Sequence, residues 1–251
     1  MICAIVTGAS KGLGAAIGDQ LLENNIHLID VSRSGNDDLR KKAEEHNLNY
    51  HHEKLDVSST KESVNFLQSW FDEQTNRPPE KLYLIHNAGT VEPIETVGQL
   101  DADSVERSVH INYITPVLLT NIAFERTTEL GISLTVVNVT SGAADKPNHG
   151  WSVYGSTKAA LNLFTETAAL EQSKADSEHM IISFSPSIMD TDMQSVIRSS
   201  SSSAFTQVER FKEFKEKGQL RQPHEVGKAL VQLLMSEKLE NGKLYHINDL
   251  L

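Results

Sequence analysis

The first twenty-two residues restrict the fold of this chain more than any other stretch. Residues 2–6 form a short, unbroken apolar run with β-branched members, the pattern of a strand buried on both faces of a parallel sheet. The run leads into Thr7-Gly-Ala-Ser-Lys-Gly-Leu-Gly14, and a helical pattern then carries Ile17, Leu21 and Leu22. Strand, glycine-rich turn and helix start together make a phosphate cradle. Glycines let the backbone come close to a ligand, and the free N–H groups and helix dipole attract a pyrophosphate. The spacing is G-x-x-x-G-x-G, at Gly8, Gly12 and Gly14, in place of G-x-G-x-x-G. A glycine turn alone is weak evidence. Its position directly after a strand favours nucleotide binding over a plain strand-to-helix turn.

Alternation of strand and helix continues down the chain. Residues 26–31 read as the second strand, 50–55 as a weakly patterned third, 82–85 as the fourth, 134–139 as the fifth, 180–185 as the sixth and 243–247 as the last. Between them, residues 39–46 read as a short helix. Ser59 followed by Glu62 is a capping-box signature opening a helix that runs to about residue 73. A longer helix is expected from Asp101 or Asp103 to about Thr127, bent by Pro116. Neither an internal repeat nor a domain boundary is visible. The expectation is one α/β domain over residues 1–251: a single Rossmann-type, doubly wound parallel sheet with helices on both faces and ligands at the strands' carboxyl ends. Residues 191–223 break the pattern with five serines, Ser199 to Ser203, followed by Phe205, Val208, Phe211 and Phe214 at helical spacing. This segment is expected to be a substrate lid, with a plain insertion as the alternative.

Composition closes off other classes. A net charge of −11 argues against a nucleic-acid footprint and against a polybasic membrane anchor. Cys3 is the single cysteine, so no intrachain disulfide exists. The start lacks the basic flank of a signal peptide and no apolar stretch is long enough for a bilayer, so a cytoplasmic protein is expected. Among ten histidines only His51-His52 are adjacent, and no metal-ligand spacing occurs; no metal is expected.

Chemistry concentrates in Tyr154-Gly-Ser-Thr-Lys158, with Ser141 thirteen residues upstream at the end of the fifth strand. Tyr154 and Lys158 are four apart and share one helix face. An ammonium beside a phenol is expected to lower the phenol's pKa, and a serine at the strand tip can hydrogen-bond the same substrate oxygen. After the second strand come Ser32 and Arg33, and Lys11 sits in the glycine turn. Positive groups there suit a 2′-phosphate and favour NADPH over NADH, with Asp30, two residues early in the strand, as counter-evidence. Asp56 either caps a loop or meets the adenine amino group. His86-Asn-Ala-Gly89 at the fourth strand's end both stabilises the sheet edge and lines the nicotinamide ribose. Asn112 inside a helix is unfavourable by propensity; it is either an exposed polar residue or a distortion holding a water near Lys158.

Taken together, Thr7-Gly8 to Gly14, Asn87-Ala88-Gly89, Asn112, Ser141, Tyr154 and Lys158 resemble the short-chain dehydrogenase/reductase family over nearly the whole chain. Gly150-Trp-Ser-Val-Tyr154, Thr191-Asp-Met-Gln194 and Ile197-Arg-Ser-Ser-Ser201 with Glu209-Arg-Phe211 are most similar to its sepiapterin reductase and bacterial benzil reductase branch. The resemblance implies a homodimer or homotetramer and a small carbonyl substrate, with Ser141, Tyr154, Lys158 and Asn112 as the catalytic set. It implies cofactor contacts from Gly8, Ser10, Lys11, Gly12, Leu13 and Gly14, then Ser32, Arg33, Asp56 and Val57. Further contacts come from Asn87, Ala88, Gly89, Tyr154, Lys158, Pro186, Ile188 and Thr191. Trp151, Met189, Met193 and Phe205 are the candidates for an apolar substrate pocket. Benzil reductases of this branch reduce one carbonyl of a 1,2-diketone to an (S)-hydroxyketone. The alternatives are a sepiapterin reductase and a non-catalytic nucleotide sensor of the same fold. Three departures from the family stand out: His86 for asparagine, Ser187 for the glycine after Pro186, and Asp249-Leu-Leu251 near the acidic pterin anchor of sepiapterin reductases.

Overall fold

The computed structural model describes the chain apart from residues 176 and 237. Its strands are β1 Ile2–Thr7, β2 His27–Ser32, β3 Tyr50–Lys54, β4 Lys81–His86, β5 Ser133–Val139, β6 Met180–Ser185 and β7 Leu244–His246. All pair in parallel, in the order β3-β2-β1-β4-β5-β6-β7. The order reverses between β1 and β4, which opens a crevice outside the carboxyl ends of those two strands. This is the doubly wound sheet that the alternation implies.

The apolar run at the chain start is unbroken because both sheet faces are covered. Ala4 and Val6 meet Ile17 and Leu21 of α1 (Gly12–Glu23), Leu39 of α2 (Asp37–Glu45) and Leu230 of a helix at Pro223–Leu234. Cys3 and Ile5 face the other way, into Leu67 of α3 (Thr60–Gln74) and two long helices that carry Ile122 and Ala168. Cys3 fills that core, and burial pushes its thiol up to about 11. Each such fully buried aliphatic side chain contributes roughly 1.5–3 kcal/mol, so burial on both faces fixes the strand's place in the sheet centre.

Several elements depart from the sequence expectation. Ser59 is the N-cap of α3, but its hydroxyl accepts no amide of the first turn. Its own N–H donates to the Asp56 carbonyl at 2.8 Å, so the Glu62 half of a capping box has nothing to receive. A complete capping box occurs instead at Gln222 and Glu225. The single long helix is also replaced. α4 (Ala102–Val109) passes into a π-helical turn, His110–Ile114, and then into α5 (Thr115–Leu130). Pro116 lies in the first turn of α5, where a missing N–H costs least, and the distortion centres on Asn112. α6 (Ser152–Lys174) carries Tyr154 as expected.

Beyond β6, α7 (Asp192–Ser199) and α8 (Val208–Glu216) fill the irregular segment, and α9 (Pro223–Leu234) packs on α1. The serine run is not an unstructured linker. It ends α7 and forms a turn, with Ser200 Oγ donating to the Ile197 carbonyl and Ser201 Oγ accepting from the Ala204 amide. Phe205 precedes α8 and is fully buried. No described helix is long and apolar enough to cross a membrane.

Candidate active site

A crevice of about 1110 Å³ runs along the carboxyl ends of the strands. At one end it is floored by the glycine turn. Gly14 faces the turn's own backbone: a Cβ there would lie 2.1 Å from the Gly8 carbonyl oxygen and 2.5 Å from Asn87 Nδ2. Only glycine fits. The Asn87 side chain amide donates to the Thr7 and Gly8 carbonyls at 3.0 and 3.1 Å, and Thr7 Oγ1 accepts from the amides of Asn87 and Ala88. The asparagine therefore staples the glycine turn to the tip of β4, the structural half of its expected double role, and it also lines the crevice. α1 begins at this turn with no side-chain cap and no acidic residue in its first turn. Its free N–H groups fit an anion such as a dinucleotide pyrophosphate.

Further along, β2 ends at Ser32, whose Oγ accepts from the Gly35 amide at 3.2 Å. Asp30 is fully buried and takes the Tyr50 hydroxyl at 2.8 Å, so its carboxylate is turned away from the crevice. Arg33 is exposed on the crevice wall and forms no ion pair among the described residues. Lys11 corrects the expectation placed on it: its ammonium is paired with Asp192 at the start of α7, across the crevice. Asp56 is a loop cap, accepting from the Ser58 amide at 3.0 Å and from Arg107 Nη2 at 2.9 Å. Burial opposes its ionisation, but these donors outweigh burial and hold its carboxyl below the usual range. Arg107, which no sequence signal marks, lines the crevice beside it.

At the other end, the tip of β5 presents Ser141 and one turn of α6 presents Tyr154 and Lys158. Helix and strand tip approach closely because residue 155 is glycine; a Cβ there would stand 2.9 Å from the Ala143 carbonyl oxygen. Ser141 Oγ accepts from the Ala143 amide at 3.1 Å, which leaves its hydrogen free to donate. Tyr154 and Lys158 are both buried yet line the crevice. Burial raises the Tyr154 pKa above its ordinary value, with the Ser141 side chain acting in the opposite sense. That reverses the expected direction. The Lys158 ammonium donates to the Val139 carbonyl at 2.8 Å, and its own pKa falls to about 8 through burial.

Asn112 stands behind this group and does not line the crevice. Its side chain pairs with the Thr90 backbone, donating to the carbonyl at 2.8 Å and accepting from the amide at 2.9 Å. It is fully buried, so the exposed alternative is excluded. Pro116, four residues on, has no N–H to offer the Asn112 carbonyl. His86 is buried with its Nε2 3.1 Å from Thr120 Oγ1. Burial, and secondarily the Lys158 charge, push its pKa down to about 3, so it is a neutral packed ring. Ser187, where the resemblance leads one to expect glycine, has a left-handed backbone, at φ 61°.

Trp151, Met189 and Met193 line the crevice around Tyr154; Phe205 does not. It stacks on the hidden face of Trp151, with centroids 4.6 Å apart, and so supports the wall from behind. Phe211 and Phe214 of α8 take the wall position instead, and the edge of Trp151 meets Tyr154 at 5.5 Å. Their helical spacing was visible in the sequence, but which aromatic faced inward was not. Of the other expected cofactor contacts, Gly8, Ser10, Lys11, Gly12, Leu13, Ser32, Val57 and Ala88 all line the crevice. So do Gly89, Pro186, Ile188 and Thr191. Gly14 lies just beneath. Among the described residues no cluster of metal-binding side chains occurs.

Comparison with known proteins agrees with this geometry. The family model described as short chain dehydrogenase matches residues 2–202. The chain is 39% identical over 247 residues to the benzil reductase ((S)-benzoin forming) of Bacillus subtilis (strain 168), covering 98% of each. It is 36% identical over 249 residues to that of Bacillus cereus, again with 98% of each covered. Among solved structures it is similar to the KRED1-Pglu enzyme, at a TM-score of 0.82 and 29% identity, covering 98% of this chain and 100% of that one.

Proposed function

The chain belongs to the short-chain dehydrogenase family, and from that premise we propose an NADPH-dependent carbonyl reductase that converts one carbonyl of an aromatic 1,2-diketone to an (S)-hydroxyketone. Its class, an oxidoreductase acting between C=O and CH–OH with a nicotinamide dinucleotide, comes with the family. One observation carries the finer reading. A free-hydrogen serine and a buried phenol share the crevice with an apolar wall of Trp151, Met193, Phe211 and Phe214.

Ser141 donates to the carbonyl oxygen and fixes it. Tyr154 remains a phenol because burial disfavours its anion, so it is the proton donor to that oxygen. A nicotinamide dinucleotide held in the crevice would supply hydride for the carbonyl carbon. Lys158, already held by the Val139 carbonyl, orients the nicotinamide ribose and stabilises the phenolate left after transfer. The π turn at Asn112 supports a water relay from Lys158 to solvent. Preference for NADPH rests on Arg33 beside Ser32, with Asp30 engaged by Tyr50 and Lys11 neutralised by Asp192.

Residues 191–223 act as a lid in this reading. Polar links tie their rim to the body: Lys11 with Asp192, Lys215 with Asp190 at 2.6 Å, and Gln207 with Asn148 at 2.9 Å. Such links break at little cost, so the rim can loosen while Phe205, buried against Trp151, stays as the anchor. A cytoplasmic homo-oligomer is also part of the reading, since Leu118 of α5 and Leu163 and Leu170 of α6 are exposed. Pterin reduction is less well supported, because Asp249 does not line the crevice.

Steady-state kinetics on benzil, sepiapterin and simple ketones, with NADPH and NADH in parallel, test the proposal. Benzil with NADPH is expected to give the highest kcat/KM. Equal use of both cofactors would remove the NADPH assignment, and a preference for simple ketones would remove the diketone.

A further inference from the structure

The adenosine end of the crevice contains a charged group to which neither the sequence nor the mechanism gives a task. Arg107 projects from α4 onto the loop after β3. Its Nη1 donates to Ser58 Oγ at 2.7 Å and its Nη2 to Asp56 Oδ2 at 2.9 Å. Asp56 is itself held by the Ser58 amide on its other oxygen. Both prongs of the guanidinium are therefore fixed, and its charge is matched by one carboxylate. The side chain is still 46% exposed, and the residue lines the crevice together with Leu55, Val57 and Ile111. Ile111 lies four positions later, next to the π-helical Asn112, so one helical strip presents a planar cation and then an aliphatic side chain.

This arrangement has a physical consequence. An exposed ion pair contributes little to stability, so stability alone does not account for a fork bound at two points. A guanidinium fixed at both prongs has lost its rotamer freedom before any ligand arrives, and it is weakly hydrated compared with an ammonium. Such a plane is suited to cover a flat heteroaromatic ring, where a cation over a π-face contributes about 0.5–2 kcal/mol. We propose that Arg107, pinned by Asp56 and Ser58, is a positioning residue that forms one wall of the adenine slot of the dinucleotide. This inference rests on the nicotinamide-dinucleotide reading above. It assigns to Arg107 a role in holding the adenine ring common to NADH and NADPH, separate from the 2′-phosphate contact assigned to Arg33.

The test compares ligands that contain or lack adenine. Affinities of Arg107→Ala and Arg107→Lys for NADPH, NADH and ADP-ribose are measured by fluorescence or calorimetry, and KM is measured with reduced nicotinamide mononucleotide as hydride donor. Arg107→Ala is expected to weaken all three adenine-bearing ligands by the same factor, about 3- to 30-fold, corresponding to the cation–π range. The KM for the mononucleotide keeps its wild-type value. Arg107→Lys retains the charge but loses the plane and one of the two prongs, so its adenine affinity is expected to stay below that of the wild type while its melting temperature matches it. Unchanged affinity in Arg107→Ala overturns the proposal. A loss confined to NADPH overturns it in favour of a phosphate contact, and a loss equally large with the mononucleotide overturns it in favour of general loop damage. If the wild type binds none of these dinucleotides, the functional reading itself has failed, which is a distinct result.

Discussion

The two ends of the crevice are built in different ways. The glycine-turn end is held by backbone geometry and side-chain-to-backbone hydrogen bonds: Asn87 on the Thr7 and Gly8 carbonyls, Thr7 Oγ1 on two amides, and a glycine where no Cβ fits. The substrate end is held by side-chain packing. Trp151, Phe205, Phe211 and Phe214 stack or meet edge to face across separate elements, and surface ion pairs tie down residues 191–223. A hydrogen-bonded turn tolerates almost no substitution, whereas packed aromatics can be exchanged for others of similar volume. The first end therefore suits a ligand that never changes, and the second suits one that differs between relatives.

Six substitutions, in five tests, can break or sharpen that contrast. The largest effect is expected where the ends meet. Tyr154→Phe removes the proton donor and should lower kcat at least 10²- to 10⁴-fold by the usual worth of general-acid catalysis, while NADPH still titrates its fluorescence. Turnover near the wild-type rate would exclude Tyr154 from its role. At the rigid end, Gly14→Ala places a methyl group 2.1 Å from the Gly8 oxygen. Dinucleotide binding should be undetectable by calorimetry; retained binding would show that the turn yields after all.

At the packed end, Phe205→Ala empties a fully buried site and should cost about 3–5 kcal/mol, roughly 10 °C in melting temperature. Phe214→Ala, half-buried on the crevice wall, should shift the KM for benzil with a much smaller loss of stability. The reverse ranking would refute the assignment of Phe205 to support and Phe214 to lining.

Lys158→Met probes the boundary through pH. Burial lowers the lysine's pKa from 10.5 to about 8, so between those values the unfolded chain binds more protons than the folded one. The sign follows: this group makes stability rise with pH from about 8 to 10.5, because the charged form is the one penalised. The melting temperature of the wild type relative to Lys158→Met should therefore climb across that window. Parallel profiles would show that the ammonium is not desolvated. The smallest effect is expected at Ser187→Gly. A left-handed backbone costs an L-residue about 1–2 kcal/mol, and glycine's extra freedom in the unfolded chain returns part of that. A net gain of about 0.5 kcal/mol should be visible in a denaturant midpoint, and a loss would mean that the serine hydroxyl has a use of its own.

Legibility in the sequence follows the same divide. Strands β5 and β6 could be read almost to the residue, because runs buried on both faces are mostly apolar and β-branched. The edge strand β3 was faint, since Tyr50–Lys54 is only half covered. Ser59 and Glu62 looked like a capping box by their letters, but the Ser59 backbone N–H had a nearer acceptor at Asp56. The π turn around Asn112 could be suspected from an unfavourable residue and not located, because it depends on Asn112 reaching Thr90 on a different element.

By itself, the sequence determined the elements whose interactions are local or periodic: the alternating parallel sheet, the uncapped glycine cradle, and the helical turn that puts Tyr154 and Lys158 on one face. Only the tertiary structure decided how groups distant in the chain share their charges and surfaces. It paired Lys11 with Asp192, put Arg107 on Asp56, moved Phe205 behind Trp151, and made burial the dominant influence on Tyr154. The reason is physical. Backbone geometry and periodicity are set within a few residues, whereas desolvation and ion pairing depend on which atoms end up nearest in space.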